Sequence, residues 1–313
     1  MKVIFMGTPD FAVGTLKAII EEGHEILAVF TQPDKPKGRS KELVMPPVKE
    51  LAVAHNLRVY QPVKIREAEY VEMIEKMQPD VIVVVAFGQI LPKAILDIPK
   101  YGCVNVHASL LPEYRGAAPI QWAVIDGKEE TGVTTMLMDV GVDTGDMLMK
   151  SVRKLDAKET GGSLFDKLSE DGAKLLIETL KGLEAGTVTR TPQDHEKATH
   201  AKMLDKSTGK IDFSKDAREI ECLIRGLNPW PSAFTSYNGK TLKIWDADVV
   251  EGDFDGLEPG QIVEVNKNDF VVKCGTGALS IKELQLEGKK RMETGAFLLG
   301  TKVAVGEKLC LNQ

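Results

Sequence analysis

One run limits the fold more than any other: Val81-Ile82-Val83-Val84-Val85-Ala86-Phe87. It is far too short to span a membrane and has the length of a strand. A strand that is apolar on both faces belongs in the middle of a parallel sheet, with helices covering each side. The neighbouring sequence supplies the partners. Residues 2–7, 25–31, 58–60 and 103–107 read as strands, and 131–138 and 147–154 as two more. Between them Phe11, Val13, Leu16 and Ile19 recur at helical spacing, as do apolar positions in 47–55, 67–77 and 161–186. Alternating strands and helices predict an α/β domain with a Rossmann-like, mainly parallel sheet and helices on both faces.

The pattern changes after residue 186. Residues 187–209 are polar and weakly periodic, as a linker would be. A helical stretch, 217–227, ends at Asn228-Pro229-Trp230-Pro231. Beyond it Asn238-Gly239 is a two-residue hairpin signal, and turns at 266–269 and 275–277 separate strands at 262–265, 270–274 and 278–286. Short strands so punctuated predict a smaller, C-terminal OB-like β-barrel. The expected organisation is an N-terminal α/β domain over 1–188, a linker over 189–208 and a C-terminal domain over 209–313.

Forty basic and 46 acidic residues leave a net charge of −6, which excludes a globally basic nucleic-acid binder but not a local basic patch. Cys103, Cys222, Cys274 and Cys310 form no C-x-x-C pair, which argues against a zinc site or a disulfide framework. With Asp10 following too soon for a signal peptide, the expectation is a cytoplasmic protein with no metal and no membrane segment.

Three segments can carry chemistry. Gly7-Thr8-Pro9-Asp10 follows the first strand, but it lacks the G-x-G-x-x-G pattern of a dinucleotide site. Asn105 and His107 alternate with Val106, so they share one face at the C-terminal end of a strand, where open parallel sheets bind ligands. An amide beside an imidazole suits a developing oxyanion, although a lone histidine is as often a satisfied core residue. Asp139-Val140-Gly141-Val142-Asp143-Thr144-Gly145-Asp146 reads either as a tight turn or as a source of a carboxylate that orients His107.

Asn105-Val106-His107 with Ser109-Leu110-Leu111-Pro112, then Arg115-Gly116-Ala117-Ala118-Pro119 and Asp139-x-Gly141-x-Asp143-Thr144-Gly145-Asp146, resembles the 10-formyltetrahydrofolate-dependent formyltransferases. Phe5-x-Gly7-Thr8-Pro9-Asp10-Phe11, Thr31-Gln32-Pro33-Asp34 and Asn228-Pro229-Trp230-Pro231 resemble the branch that acts on initiator methionyl-tRNA, along nearly the whole chain. Ala108 stands where relatives often have glycine or proline. The resemblance implies formyl transfer from N10 of the folate to the α-amino group of methionine on the tRNA. It gives Asn105, His107 and Asp143 catalytic roles. It lays Ser109, Leu110, Leu111 and Pro112 along the folate, with Phe87 and Ile90 as walls. It brings Lys35, Lys37, Arg39 and Lys41 to the tRNA acceptor end, Arg39 being decisive. This basic run reads as a loop that orders on the tRNA, in a chain expected to be a monomer. A sugar-nucleotide amine or a purine precursor is the alternative acceptor; the basic run and the C-terminal domain favour tRNA. Residues 207–313 hold 14 basic and 16 acidic side chains, so a binding face there has to be segregated, with Lys289, Lys290 and Arg291 as candidates. His195 and His200 read as surface residues.

Overall fold

The computed structural model describes residues 1–37, 42–254 and 256–309. In chain order its first elements are β1 (Lys2–Gly7), α1 (Asp10–Glu21), β2 (Glu25–Phe30), β3 (Lys35–Lys37), β4 (Glu42–Val44), α2 (Pro47–Ala54), β5 (Val59–Tyr60), α3 (Ala68–Met77), β6 (Val81–Val85) and α4 (Lys93–Leu96). Then come β7 (Cys103–His107), β8 (Arg115–Gly116), α5 (Pro119–Ile125), β9 (Glu130–Leu137), β10 (Met147–Lys154), α6 (Gly161–Ala185) and β11 (His200–Ala201). The remainder is α7 (Ala217–Gly226), β12 (Ala233–Tyr237), β13 (Lys240–Val250), β14 (Ile262–Val265), β15 (Phe270–Lys273), β16 (Ala278–Leu286), β17 (Met292–Glu293) and α8 (Thr294–Gly300).

Seven strands form one sheet in the order β10-β9-β7-β6-β1-β2-β5. Strands β5, β2, β1, β6 and β7 pair in parallel, whereas β9 joins β7, and β10 joins β9, antiparallel. The apolar run of the sequence is β6, buried along its whole length between β1 and β7. It stops at Val85 because Ala86 turns to φ 46°, outside the extended region. Side-chain alternation then sorts the sheet's two faces. Ile4, Met6, Ile82 and Val84 pack with Ile74 of α3 and Ile95 of α4. On the opposite face Val106 and Val133 meet α6 where Gly172 presents no side chain; a Cβ there would lie 2.9 Å from Val106 Cγ1. Thr135 and Thr179 share a buried hydrogen bond of 2.8 Å on the same side.

Two features depart from the reading of the sequence. The basic run is not wholly a loop: β3 and β4 pair antiparallel, with Lys35 opposite Val44 and Pro36 opposite Leu43. Arg39 and Lys41 lie outside the described residues. The polar stretch after α6 also takes up strand pairing, because β11 aligns in parallel with β8, His200 opposite Arg115.

The C-terminal strands form a six-stranded sheet in the order β12-β13-β16-β15-β14, with β17 on β16, and every pairing within it is antiparallel. Asn238 and Gly239 both take positive φ, 50° and 73°, as the two-residue turn between β12 and β13 requires. Ile220 and Ile224 of α7 join Leu242, Ile244, Leu279 and Ile281 in its core. Contacts group the chain into two units: Met1–Pro119, Glu130–Lys154 and Phe165–Ala201 in one, and Ile120–Glu129, Leu155–Leu164 and Lys202–Gln313 in the other. Among the described residues no helix is long and apolar enough to cross a membrane.

Candidate active site

Strand β7 delivers the first two groups. Its side chains alternate, so Val104 and Val106 enter the core on one face, while Asn105, half-buried, and His107, 6% exposed, lie on the other. The imidazole Nε2 lies 2.8 Å from the backbone oxygen of Tyr114. A carbonyl only accepts, so Nε2 carries the hydrogen and donates it. That fixes the tautomer and leaves Nδ1 facing Asp143, 3.7 Å from Oδ2.

Asp143 reaches this strand from a loop 36 positions downstream of His107, between β9 and β10. The aspartates of that loop make different contacts. Asp139 Oδ1 accepts from Gly141 N at 2.9 Å and Thr144 Oγ1 at 2.6 Å, which closes a local turn. Asp143 sits at φ 53° and turns its carboxylate inward. Its Oδ2 accepts from Gly116 N at 2.8 Å, and Asn105 Nδ2 approaches Oδ1 at 3.4 Å. Gly145 permits the path: a Cβ there would lie 1.7 Å from Leu137 O. Asn105, His107 and Asp143 therefore converge on one spot at the C-terminal end of β7.

The loop after β7 is tightly held. Thr134 Oγ1 donates to Ser109 O at 2.7 Å and accepts from Leu111 N at 3.1 Å. Ser109 Oγ donates to Glu113 O, and Lys150 Nζ donates to Leu111 O at 2.5 Å. Ser109 and Leu111 are fully buried, so the part of this loop open to a ligand is Leu110 and Pro112, which are half-buried. Phe87 is a core side chain, 2% exposed, whereas Ile90 stands 74% exposed. The backbone oxygen of Phe87 accepts from Thr8 Oγ1 at 3.1 Å and Gln32 Nε2 at 3.2 Å, which ties the loops after β1, β2 and β6 together. A cavity of about 610 Å³ opens beside the Asp139–Asp146 loop, lined by Leu96, Asp97, Cys103, Met138, Val140 and others. Sequence reasoning did not find it, because its walls come from α4, β7 and the end of β9, which no local pattern brings together.

Elsewhere, Lys35 is exposed on β3. Arg291 is engaged rather than free, paired in two places with Glu283 and stacked 4.6 Å from the Trp245 ring centroid. His195 and His200 are exposed, as expected. Burial pushes the Cys103 and Cys274 thiols up to about 12, which leaves them inert. Among the described residues no cluster of three histidine, cysteine or acidic side chains could hold a metal.

Residues 1–180 match the family model described as formyl transferase, and residues 203–302 match the formyl transferase C-terminal domain. The chain belongs to the formyl transferase family. It is 62% identical to the methionyl-tRNA formyltransferase of Lachnospira eligens over 99% of both chains, and 63% identical to that of Agathobacter rectalis over 98% of both. Among solved structures it resembles WlaRD, a sugar 3N-formyl transferase crystallised with dTDP and 5-N-formyl-THF. The TM-score is 0.67 at 19% identity, over 93% of this chain and 99% of that one. HypX from Aquifex aeolicus, in complex with tetrahydrofolic acid, matches with a TM-score of 0.62 at 16% identity over 98% of this chain, which spans about half of HypX (50%). Identities this low speak for the fold alone.

Proposed function

We propose that this chain transfers the formyl group of 10-formyltetrahydrofolate to the α-amino group of methionine on initiator tRNA. The observation that carries the chemistry is the convergence of Asn105, His107 and Asp143 from two separate segments at the end of one strand. The tRNA acceptor rests on full-length likeness to methionyl-tRNA formyltransferases at 62% and 63% identity.

The reaction conserves protons. The neutral amine attacks the formyl carbon and loses one proton, and N10 of the folate gains one as its bond to that carbon breaks. Charge builds on the formyl oxygen in between. Asn105 has one N–H directed at Asp143 and a second free to donate to that oxygen. His107 has committed Nε2–H to Tyr114, so the nitrogen left for chemistry is Nδ1. In the neutral ring Nδ1 takes the amine proton; as imidazolium it returns the proton to N10. Asp143, 3.7 Å away, is the counter-charge while that proton is held. No covalent enzyme intermediate is needed.

The folate is proposed to lie along Ser109, Leu110, Leu111 and Pro112 with Phe87 and Ile90 beside it; the cavity beside the Asp139–Asp146 loop opens at the start of β7 and is lined by none of these residues, nor by Asn105, His107 or Asp143. Lys35, Lys37, Arg39 and Lys41 are the proposed contacts to the acceptor end, with the domain organisation 1–188, 189–208 and 209–313 giving the C-terminal part a share in the tRNA. Formylation assayed with charged initiator tRNA, elongator methionyl-tRNA and a sugar-nucleotide amine tests the reading. Turnover confined to the initiator tRNA is expected; preference for the sugar-nucleotide amine would overturn the acceptor.

A further inference from the structure

The position of Asp143 raises a physical question. Its φ of 53° is unfavourable for a residue with a Cβ by about 1 kcal/mol, and its loop is partly exposed, Val140 and Val142 included. Something must hold it against β7. One holder is Gly116 N on the carboxylate. The other lies far away in sequence. Gln193 Nε2 donates to Asp143 O at 2.9 Å and to Gly145 O at 2.8 Å, so both amide hydrogens grip the backbone of this loop. Gln193 Oε1 accepts from Arg115 Nε at 3.0 Å and Nη2 at 2.7 Å, which uses both its lone pairs.

This arrangement admits only one amide orientation. A flipped amide would set an oxygen against two carbonyls and hydrogens against a guanidinium. Gln193 and Arg115 are 6% and 4% exposed, so water does not replace these bonds. No carboxylate lies within ion-pair distance of Arg115 among the described residues; its other partner is His195 Nδ1 at 3.2 Å. The buried cation instead polarises the Gln193 amide and strengthens the two N–H bonds on the far side. Arg115 also precedes Gly116, so a two-residue strand fixes the Asp143 carboxylate directly and its backbone through Gln193.

We infer that Gln193, backed by Arg115, is a positioning residue for the transfer reaction: it sets Asp143 against His107 without touching either substrate. This rests on the reading of Asp143 as the partner of His107. It gives a catalytic purpose to a residue within the stretch that reads as a linker.

Gln193→Glu is the discriminating variant. The carboxylate keeps the shape and gains an ion pair with Arg115, yet it loses both donors and turns an anion toward the two carbonyls. The measurements are kcat, KM for each substrate and melting temperature, in the native background and with Asp143→Asn. The expected result is a fall in kcat of about 10- to 100-fold with KM for the folate changed less than about threefold and a melting temperature lowered by no more than a few degrees, since the new ion pair with Arg115 offsets part of the two lost bonds. In Asp143→Asn the same substitution should lower kcat no further, since a residue acting only through Asp143 has nothing left to position. A kcat for Gln193→Glu within about twofold of the parent would overturn the inference, as would losses that multiply in the double variant. Full activity of Asp143→Asn alone would instead sink the reading of Asp143. If Gln193→Glu does not fold, Arg115→Lys takes its place. It keeps the charge but loses the fork, and its smaller fall in kcat should likewise vanish beside Asp143→Asn.

Discussion

Replacing Asn105 by alanine isolates the chemistry better than any other change at this site. The side chain is half-buried, and its hydrogen bond to Asp143 is long, 3.4 Å, beyond the range of a strong N–H···O contact. Its removal therefore costs little folding free energy, well under about 1 kcal/mol. His107→Ala is less clean, because it also strips the buried bond to Tyr114 O and leaves a cavity under a 6%-exposed residue. The loss of one donor to a developing oxyanion removes about 10²- to 10³-fold from turnover, or roughly 2.7–4 kcal/mol of transition-state stabilisation. Asn105→Ala should accordingly lower kcat by that factor while leaving melting temperature and folate affinity near those of the parent. Single-turnover formylation of charged initiator tRNA at saturating folate measures the chemical step directly. A rate within about threefold of the parent would mean that the oxyanion finds its donor elsewhere, and the proposed mechanism would be wrong.

Gly145→Ala forces a Cβ against Leu137 O, so it should lower stability by about 1–3 kcal/mol and reduce turnover by moving Asp143; unchanged urea denaturation would refute the steric argument. Lys35→Ala should weaken tRNA binding modestly and reduce the salt slope by about one, whereas Arg39→Ala should also depress turnover by misplacing the acceptor end. Equal, purely affinity-based losses at saturating tRNA would reduce the basic segment to electrostatic steering. Burial, and then the N-terminal ammonium 3.3 Å from Nδ1, hold His24 below its ordinary value of 6.5. Because the unfolded chain binds that proton more readily, stability should be full above 6.5 and fall as pH drops below it. His24→Gln should flatten that part of the stability curve, and an unaltered curve would count against it.

Local pattern determined much of this molecule. The both-face apolarity of 81–87 marked β6 as central, and the alternation in 103–107 put Asn105 and His107 on one face, because side-chain direction in a strand depends only on parity. Asn-Gly announced its hairpin because few other pairs tolerate two positive φ values. The long-range pairings were decided elsewhere. Nothing in β9 says that it runs antiparallel to both its neighbours, β7 and β10, since direction depends on the path of the connecting chain. The segments Ile120–Glu129 and Leu155–Leu164 group with residues beyond 201, although they precede the polar stretch that looks like the boundary. Within that stretch Gln193 resembles any exposed linker glutamine until β11 pairs with β8 and seats its amide between Arg115 and the Asp143 loop. Sequence periodicity reports which way a side chain points; only closure of the tertiary structure decides which distant donor meets which acceptor, because those bonds repay their loop-closure entropy only once the whole sheet is assembled.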